Sequence, residues 1–267
     1  MISSHGPSRV EIAGNVVCKH FPATESERLR HEVDKLQQLR TISASCGLFS
    51  VPLVLEVKEL SYTMSRIDAA PIGRITSSAV PRLLQVVAAV ARSGTIRATQ
   101  LDLWAVMLEK FKLAPTTDQE YIQLVDNLPQ PAQLTLGYSH GDLTCDNILV
   151  DTADRWWLID PAWSAVESPL WDVGKILQST AVNWENIKQT GHAGTATSAA
   201  AKVNALIVAQ LARSFQPAEL LLGLACQLAR VSRWCFAEEL TRISKQLLLV
   251  YTEGNADECL DALCRIK

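Results

Sequence analysis

Residues 140–147 read His-Gly-Asp-Leu-Thr-Cys-Asp-Asn. Two short apolar runs follow, Ile148-Leu149-Val150 and Trp156-Trp157-Leu158-Ile159, and Asp160 closes the second. Both runs are strand-length and the polar stretch Asp151–Arg155 between them reads as a turn, so a β-hairpin is expected. A hairpin brings its two ends together, which makes Asn147 and Asp160 neighbours and leaves Asp142 in the loop just before. Two hard oxygen donors converging on one point suit Mg²⁺, which takes one or two protein ligands and fills its shell with phosphate oxygens and water. A separate carboxylate, Asp142, suits a group that accepts a hydroxyl proton as that oxygen attacks phosphorus. The plain alternative is a β-turn in which these Asp and Asn residues do ordinary capping work.

Upstream of this island, residues 9–67 read as a small β-rich unit with one helix. Val10–Ile12 and Val16–Phe21 flank Ala13-Gly14-Asn15, a strand–turn–strand pattern. Thr24 and Ser26 are N-cap candidates for a helix in which Leu29, Val33, Leu36 and Leu39 recur at helical spacing. Val51–Val57 and Leu60–Ile67 read as two further strands, and residues 65–72 as a connector. Beyond residue 75 the pattern is helical: Ala79–Ala91, Leu101–Leu113, Gln119–Leu128, Ser198–Ser214, Ala218–Arg230, Arg233–Tyr251 and a short segment near Asp257–Ile266. The Gly/Ala/Thr-rich stretch Gln189–Thr197 reads as a loop. The division expected is 1–67 for a small lobe and 68–267 for a larger helical lobe with the hairpin embedded in it. A two-lobed chain usually binds its ligand between the lobes.

Bulk properties narrow the function classes. The 267 residues are 48% hydrophobic and 20% charged, with 25 basic against 28 acidic side chains. That is a globular composition with no disordered bias. Neither the charge balance nor any like-charge run points to nucleic acid or an anionic membrane. Seven scattered cysteines without a CxxC argue against structural zinc and against a disulfide framework. The first residues lack the pattern of a secretory signal, and no apolar run could span a bilayer. A cytoplasmic protein is the default expectation.

The motif His140-Gly141-Asp142-x4-Asn147, with Asp160 thirteen residues on, resembles the catalytic loop of the aminoglycoside phosphotransferase and choline kinase family. This family is the small-molecule branch of the protein-kinase-like fold. The resemblance implies a two-lobed α+β fold with a small, truncated β-rich N-lobe and a mainly helical C-lobe. It also implies transfer of the ATP γ-phosphate to a small-molecule hydroxyl, with ATP and Mg²⁺ as cofactors. Carried over residue by residue, Asp142 matches the catalytic base, and Asn147 and Asp160 the metal ligands. His140 matches a residue supporting the loop. Asp172, in Ser168-Pro169-Leu170-Trp171-Asp172-Val173-Gly174-Lys175, matches an aspartate that opens a helix and braces that loop.

Val16-Val17-Cys18-Lys19 resembles the family's lysine strand, making Lys19 the partner of the α/β-phosphates, and spacing selects Glu32 as the helix carboxylate that holds Lys19. Ser65, Arg66 and Ile67 would meet the adenine edge through their backbone, with Met64 as a nearby apolar wall. The phosphate-covering loop would come from residues 3–8, which hold a single glycine and no G-x-G-x-x-G. Two further departures are Pro161-Ala162 after Asp160, where protein kinases have Phe-Gly, and Cys145 where Pro is common.

The acceptor is less defined. Five of the seven tryptophans fall between residues 156 and 184, and Trp163, just past Asp160, is a candidate for the acceptor pocket, since an indole face suits a sugar ring or a quaternary ammonium. Core packing is the plain alternative. Glu253, Asp257, Glu258 and Asp261 could supply an acidic pocket for an aminoglycoside or could be a solvated helix face. A sugar, an amino-alcohol and an aminoglycoside all remain possible acceptors. Two other functions compete: a non-catalytic kinase-like module that binds nucleotide or regulates, and a protein kinase. The protein kinase is disfavoured because the H-R-D arginine is missing and only eight residues separate Asp160 from Pro169.

Overall fold

The computed structural model describes residues 8–93, 98–182, 184, 187, 190 and 198–266. The chain separates into two compact units, one formed by the segments up to Gly73 and His140–Ser164, the other by Arg74–Ser139 and the chain from Ala165 onward.

Among the described residues the first unit is built on two antiparallel sheets and one long helix. Strands β1 (Arg9–Ala13) and β2 (Val16–His20) form the expected hairpin, and its turn needs Gly14 at φ 56°. With β3 (Val54–Val57) and β4 (Ser61–Ser65) they make a sheet of order β1-β2-β4-β3. Register sets Lys19 opposite Tyr62. Cross-strand partners project to the same face, so both side chains reach the same side of the sheet.

Helix α1 (Ser26–Cys46) lies in this unit and buries Leu29, Val33, Leu36 and Leu39. It corrects the expected capping and length. Neither Thr24 nor Ser26 caps it; a 3-10 turn at Ala23–Glu25 leads in without a side-chain cap. It runs past Leu39 until Gly47 takes the left-handed conformation at φ 65°, where a glycine carries no Cβ penalty.

The second sheet has order β5-β6-β7, with β5 Ala70–Pro71, β6 Ile148–Val150 and β7 Trp156–Leu158. The β6–β7 hairpin thus clusters with the first unit, and a stretch expected to be a mere connector supplies strand β5. Ser50 bonds β7 on both sides, its N–H donating to Trp156 O at 2.7 Å and its carbonyl accepting from Leu158 N at 2.9 Å.

The second unit is helical: α2 (Val80–Ala91), α3 (Gln100–Phe111), α4 (Gln119–Asp126), α5 (Leu170–Thr180), α6 (Ser198–Leu211), α7 (Pro217–Ser232), α8 (Ala237–Glu253) and α9 (Ala256–Cys264). Its centre is α7, buried continuously from Glu219 to Ala229 and packed against α5 and α8. The α5–α7 approach depends on Gly174, where a Cβ would come within 2.4 Å of the Gly223 carbonyl oxygen. The helix expected over Arg233–Tyr251 starts only at Ala237, because Phe236 stands in the left-handed region at φ 51°. Most of the loop expected at 189–197, and residues 3–7 of the expected phosphate loop, lie outside the described residues.

Candidate active site

The residues that carry the motif meet inside the first unit. Lys19 and Glu32 are buried, with Lys19 Nζ 2.5 Å from Glu32 Oε1. The same ammonium pairs with Asp160. Tyr62, opposite Lys19 in the sheet, donates its hydroxyl to Glu32 Oε1 at 2.7 Å. Burial works against the Lys19 charge, but the carboxylates of Asp160 and Glu32 outweigh it and hold the ammonium above its ordinary 10.5. Burial, with Glu32 beside it, pushes the Tyr62 phenol well above its usual value, so Tyr62 serves as a donor.

The catalytic-loop candidates are joined by short bonds. Asn147 Nδ2 donates to the Asp142 carbonyl at 2.8 Å and to Asp142 Oδ2 at 3.0 Å. Beyond the paired residues Ile148 and Leu158, Ile159 N–H donates to the Asn147 carbonyl at 3.1 Å, which brings Asp160 to the end of the hairpin where Asn147 stands. Asp160 is held in the left-handed region at φ 56°, a conformation that costs a non-glycine residue about 1–3 kcal/mol and persists only where its surroundings enforce it. The Asp142 amide faces His140 Nδ1 at 3.4 Å, and the His140 carbonyl accepts from Ala162 N–H at 3.0 Å. His140 is fully buried. Burial, and then the Lys35 charge, push its imidazole down to about 4, so it is neutral at pH 7.

Gly141 is required twice over. Its φ is 87°, and a Cβ there would lie 2.2 Å from the Ala162 carbonyl oxygen. Side chains larger than hydrogen meet both a disfavoured backbone and a neighbouring peptide.

The donor set can be set against a divalent cation. The Asn147 amide nitrogen is engaged by Asp142, so the amide oxygen is the atom this residue offers. Asp160 turns Oδ1 to Lys19 and carries a second oxygen. One amide oxygen and one carboxylate fit a hard cation whose remaining places go to phosphate and water oxygens. Among the described residues no group of three or more His, Cys, Asp or Glu gathers as a metal cluster.

The other candidates fall as follows. Ser65 N–H donates to the Leu53 carbonyl at 2.8 Å, Ser65 Oγ accepts from Leu53 N–H at 2.9 Å, and Arg66 N–H donates to the Asn15 carbonyl at 2.9 Å. The N–H groups of Ser65 and Arg66 are thus engaged within the sheet. Ile67, half-buried past the end of β4, makes no backbone bond to other described residues. Trp163 is 50% exposed and stacks on His31, with centroids 4.8 Å apart and planes 15° from parallel. Asp172 lies in the second unit, buried in the first turn of α5. Cys145 is buried in a 3-10 turn at the foot of β6.

Two of the four C-terminal carboxylates have local work: Glu258 completes a capping box with Asn255, and Asp261 pairs with Arg265 at 3.4 Å.

Three participants were not selected from the sequence: Tyr62, His31 and Lys35. The register of β2 and β4 would have pointed to Tyr62. Lys35 sits three residues after Glu32, and i, i+3 spacing puts the two on one helix face.

A family model, the APH phosphotransferase enzyme family, matches residues 8–203. No curated protein matches the chain. Solved structures with the same fold include a choline/ethanolamine kinase family protein from Mesorhizobium loti (17% identity, TM-score 0.54, covering 96% of this chain and 89% of that one). Another is choline kinase LicA from Streptococcus pneumoniae (14%, 0.54, 92% and 89%). A third is the ADP-bound aminoglycoside phosphotransferase APH(2'')-Ib (15%, 0.54, 100% and 91%). The fold is therefore the two-lobed α+β fold of kinase-like proteins. Among the described residues no helix is long and apolar enough to cross a membrane.

Proposed function

Because the chain belongs to the phosphotransferase enzyme family, we infer that it moves the γ-phosphate of ATP to a hydroxyl of a small molecule, a sugar, an amino-alcohol or an aminoglycoside. The observation that carries this reading is the linkage of Lys19 to both Glu32 and Asp160, beside the Asn147–Asp142 bonds. One buried cation, one hydroxyl-facing carboxylate and two oxygen donors are the parts phosphoryl transfer needs.

In this reading Asp160 and Glu32 keep the Lys19 ammonium charged, Tyr62 orients Glu32, and Lys19 anchors the α/β-phosphates. Asp160, paired with Lys19 through one oxygen, carries a second oxygen that would be available to a divalent cation. Asn147 and Asp160 would hold Mg²⁺, which would neutralise charge on the phosphate oxygens. Asp142 accepts the proton of the acceptor hydroxyl, and the Asn147 amide orients its carboxylate. His140, neutral and buried, supports the loop without drawing the proton away from Asp142. The Ile67 backbone is the group that meets the adenine edge, since the Ser65 and Arg66 N–H groups are engaged. Trp163 presents its exposed indole to the acceptor.

The test is Asp142→Ala, assayed for nucleotide turnover against a panel of sugars, amino-alcohols and aminoglycosides, with Mg²⁺-ATP binding followed by thermal shift. Turnover should vanish while the ATP-dependent rise in melting temperature persists. Unchanged turnover would remove Asp142 as the base. Binding by the native protein with no turnover of any acceptor would favour the non-catalytic module instead.

A further inference from the structure

Helix α1 grips the segment that follows the β6–β7 hairpin at three points. Glu32 reaches Asp160 through Lys19. Lys35, one helical turn beyond Glu32, donates its ammonium to the Ala162 carbonyl at 2.7 Å. His31, one turn before Lys35, stacks on Trp163. Ala162 and Trp163 are thus held directly by side chains of one helix, and Asp160 indirectly through Lys19.

Lys35 is the least expected of these grips. It is 3% exposed, and a buried ammonium is costly unless its environment repays the lost hydration. A lysine there with no task beyond packing would be better replaced by an apolar residue. The carbonyl it holds lies at a junction. Ala162 N–H donates to the His140 carbonyl at 3.0 Å, and the space beside Ala162 O is open only because Gly141 lacks a Cβ. A Cβ at 141 would also meet Lys35 Nζ at 3.2 Å. The ammonium therefore bonds the segment carrying Asp160 and lies beside the open space at Gly141 in the loop carrying Asp142.

We propose that Lys35 is a positioning residue for phosphoryl transfer: by holding the Ala162 carbonyl it fixes the Asp160–Trp163 segment to α1 and sets where Asp160 stands relative to Asp142. This rests on the phosphotransferase reading of the site, and the two can fail separately.

The experiment compares Lys35→Met, Lys35→Arg and Asp142→Ala in the full chain, measuring Mg²⁺-ATP turnover with the acceptor that the panel identifies, or ATP hydrolysis where none does. A second arm follows tryptophan emission with and without Trp163, using Trp163→Phe to isolate the Trp163 signal. Lys35→Met should lower kcat by about 100-fold, the scale of an ångström-level misplacement in an active site. Its KM for ATP should change much less than its kcat, and the Trp163 emission should shift toward that of a freed indole. Lys35→Arg, which keeps the donor and the charge, should recover part of the turnover and the native emission. Native kcat in Lys35→Met, or an unmoved Trp163 signal, overturns the proposal. So does a loss of kcat that merely follows a fall in folded fraction. If Lys35→Met does not fold, Lys35→Arg decides by the same two readouts: native emission with substantial turnover upholds the proposal, and native emission without turnover overturns it. Full turnover in Asp142→Ala would sink the reading of the site itself, and the emission arm still judges Lys35.

Discussion

Lys19 Nζ stands 2.5 Å from Glu32 Oε1, and the side chains of the two are 4% and 3% exposed. Removing one member of such a pair strands a buried charge, which costs about 3–5 kcal/mol. Lys19→Met should therefore lower the urea midpoint strongly and abolish ATP binding. Adding Glu32→Leu should restore much of the stability and none of the binding. A double variant as unstable as Lys19→Met alone would show that the pair does not act as a unit.

Gly141→Ala tests the junction between the catalytic loop and the Asp160 segment. The backbone at φ 87° alone costs an alanine on the order of 1–3 kcal/mol, and the 2.2 Å approach to Ala162 O forces a shift besides. We expect a lower melting temperature and a larger fractional loss of turnover than of folded protein. Native turnover would mean that the loop tolerates displacement.

Asp151 gives an acid-dependent prediction. The Trp157 indole N–H, the Arg155 amide and guanidinium and the Ala153 amide all donate to its carboxylate, and they hold it down at about 2 against an ordinary 3.8. A folded value below the unfolded one means that stability is fully present above pH 3.8 and drains as pH falls toward 2. These bonds tie the β6–β7 turn, so acid should loosen the hairpin that carries Asn147 and Asp160. Acid unfolding of Asp151→Asn should lack this component. The check is the pH midpoint of the two proteins by circular dichroism; coincident curves would contradict it.

Glu219, in the second unit, supplies a control. It is 1% exposed, accepts the Thr135 amide through Oε1, and completes a capping box at the start of α7 by accepting from Gln216 N–H at 3.0 Å. Glu219→Ala should cost about 1–3 kcal/mol, the loss expected when buried donors to a charged acceptor go unmet. Turnover per folded molecule should not change. A specific loss of kcat would tie this helix start to catalysis.

Local chemistry made much of the architecture readable. The runs 148–150 and 156–159 are apolar, short and split by a polar turn, and no other element suits them. Helical periodicity placed most helices of the second unit to within a few residues. Their ends were harder to read: α1 outlasts its apolar beat until Gly47 stops it, and α8 starts late because Phe236 adopts a left-handed conformation that nothing in its identity announces. Charged residues inside the fold were harder still. Glu32 could be chosen by its spacing on the helix that follows the Lys19 strand, whereas Lys35 and His31 look like solvent-facing residues of an amphipathic helix.

From its order of residues alone this chain settles its hairpins, most of its helices and the motif His140–Asn147 with Asp160, because these depend on neighbours a few positions apart. Tertiary structure alone decides that hairpin 148–158 clusters with the first 73 residues, that Tyr62 shares Glu32 with Lys19, and that α1 reaches past Glu32 to hold Ala162 and Trp163. These contacts join positions separated by 30 to more than 120 residues. Whether a buried ammonium is tolerated depends on which distant carbonyl or carboxylate the fold brings to it.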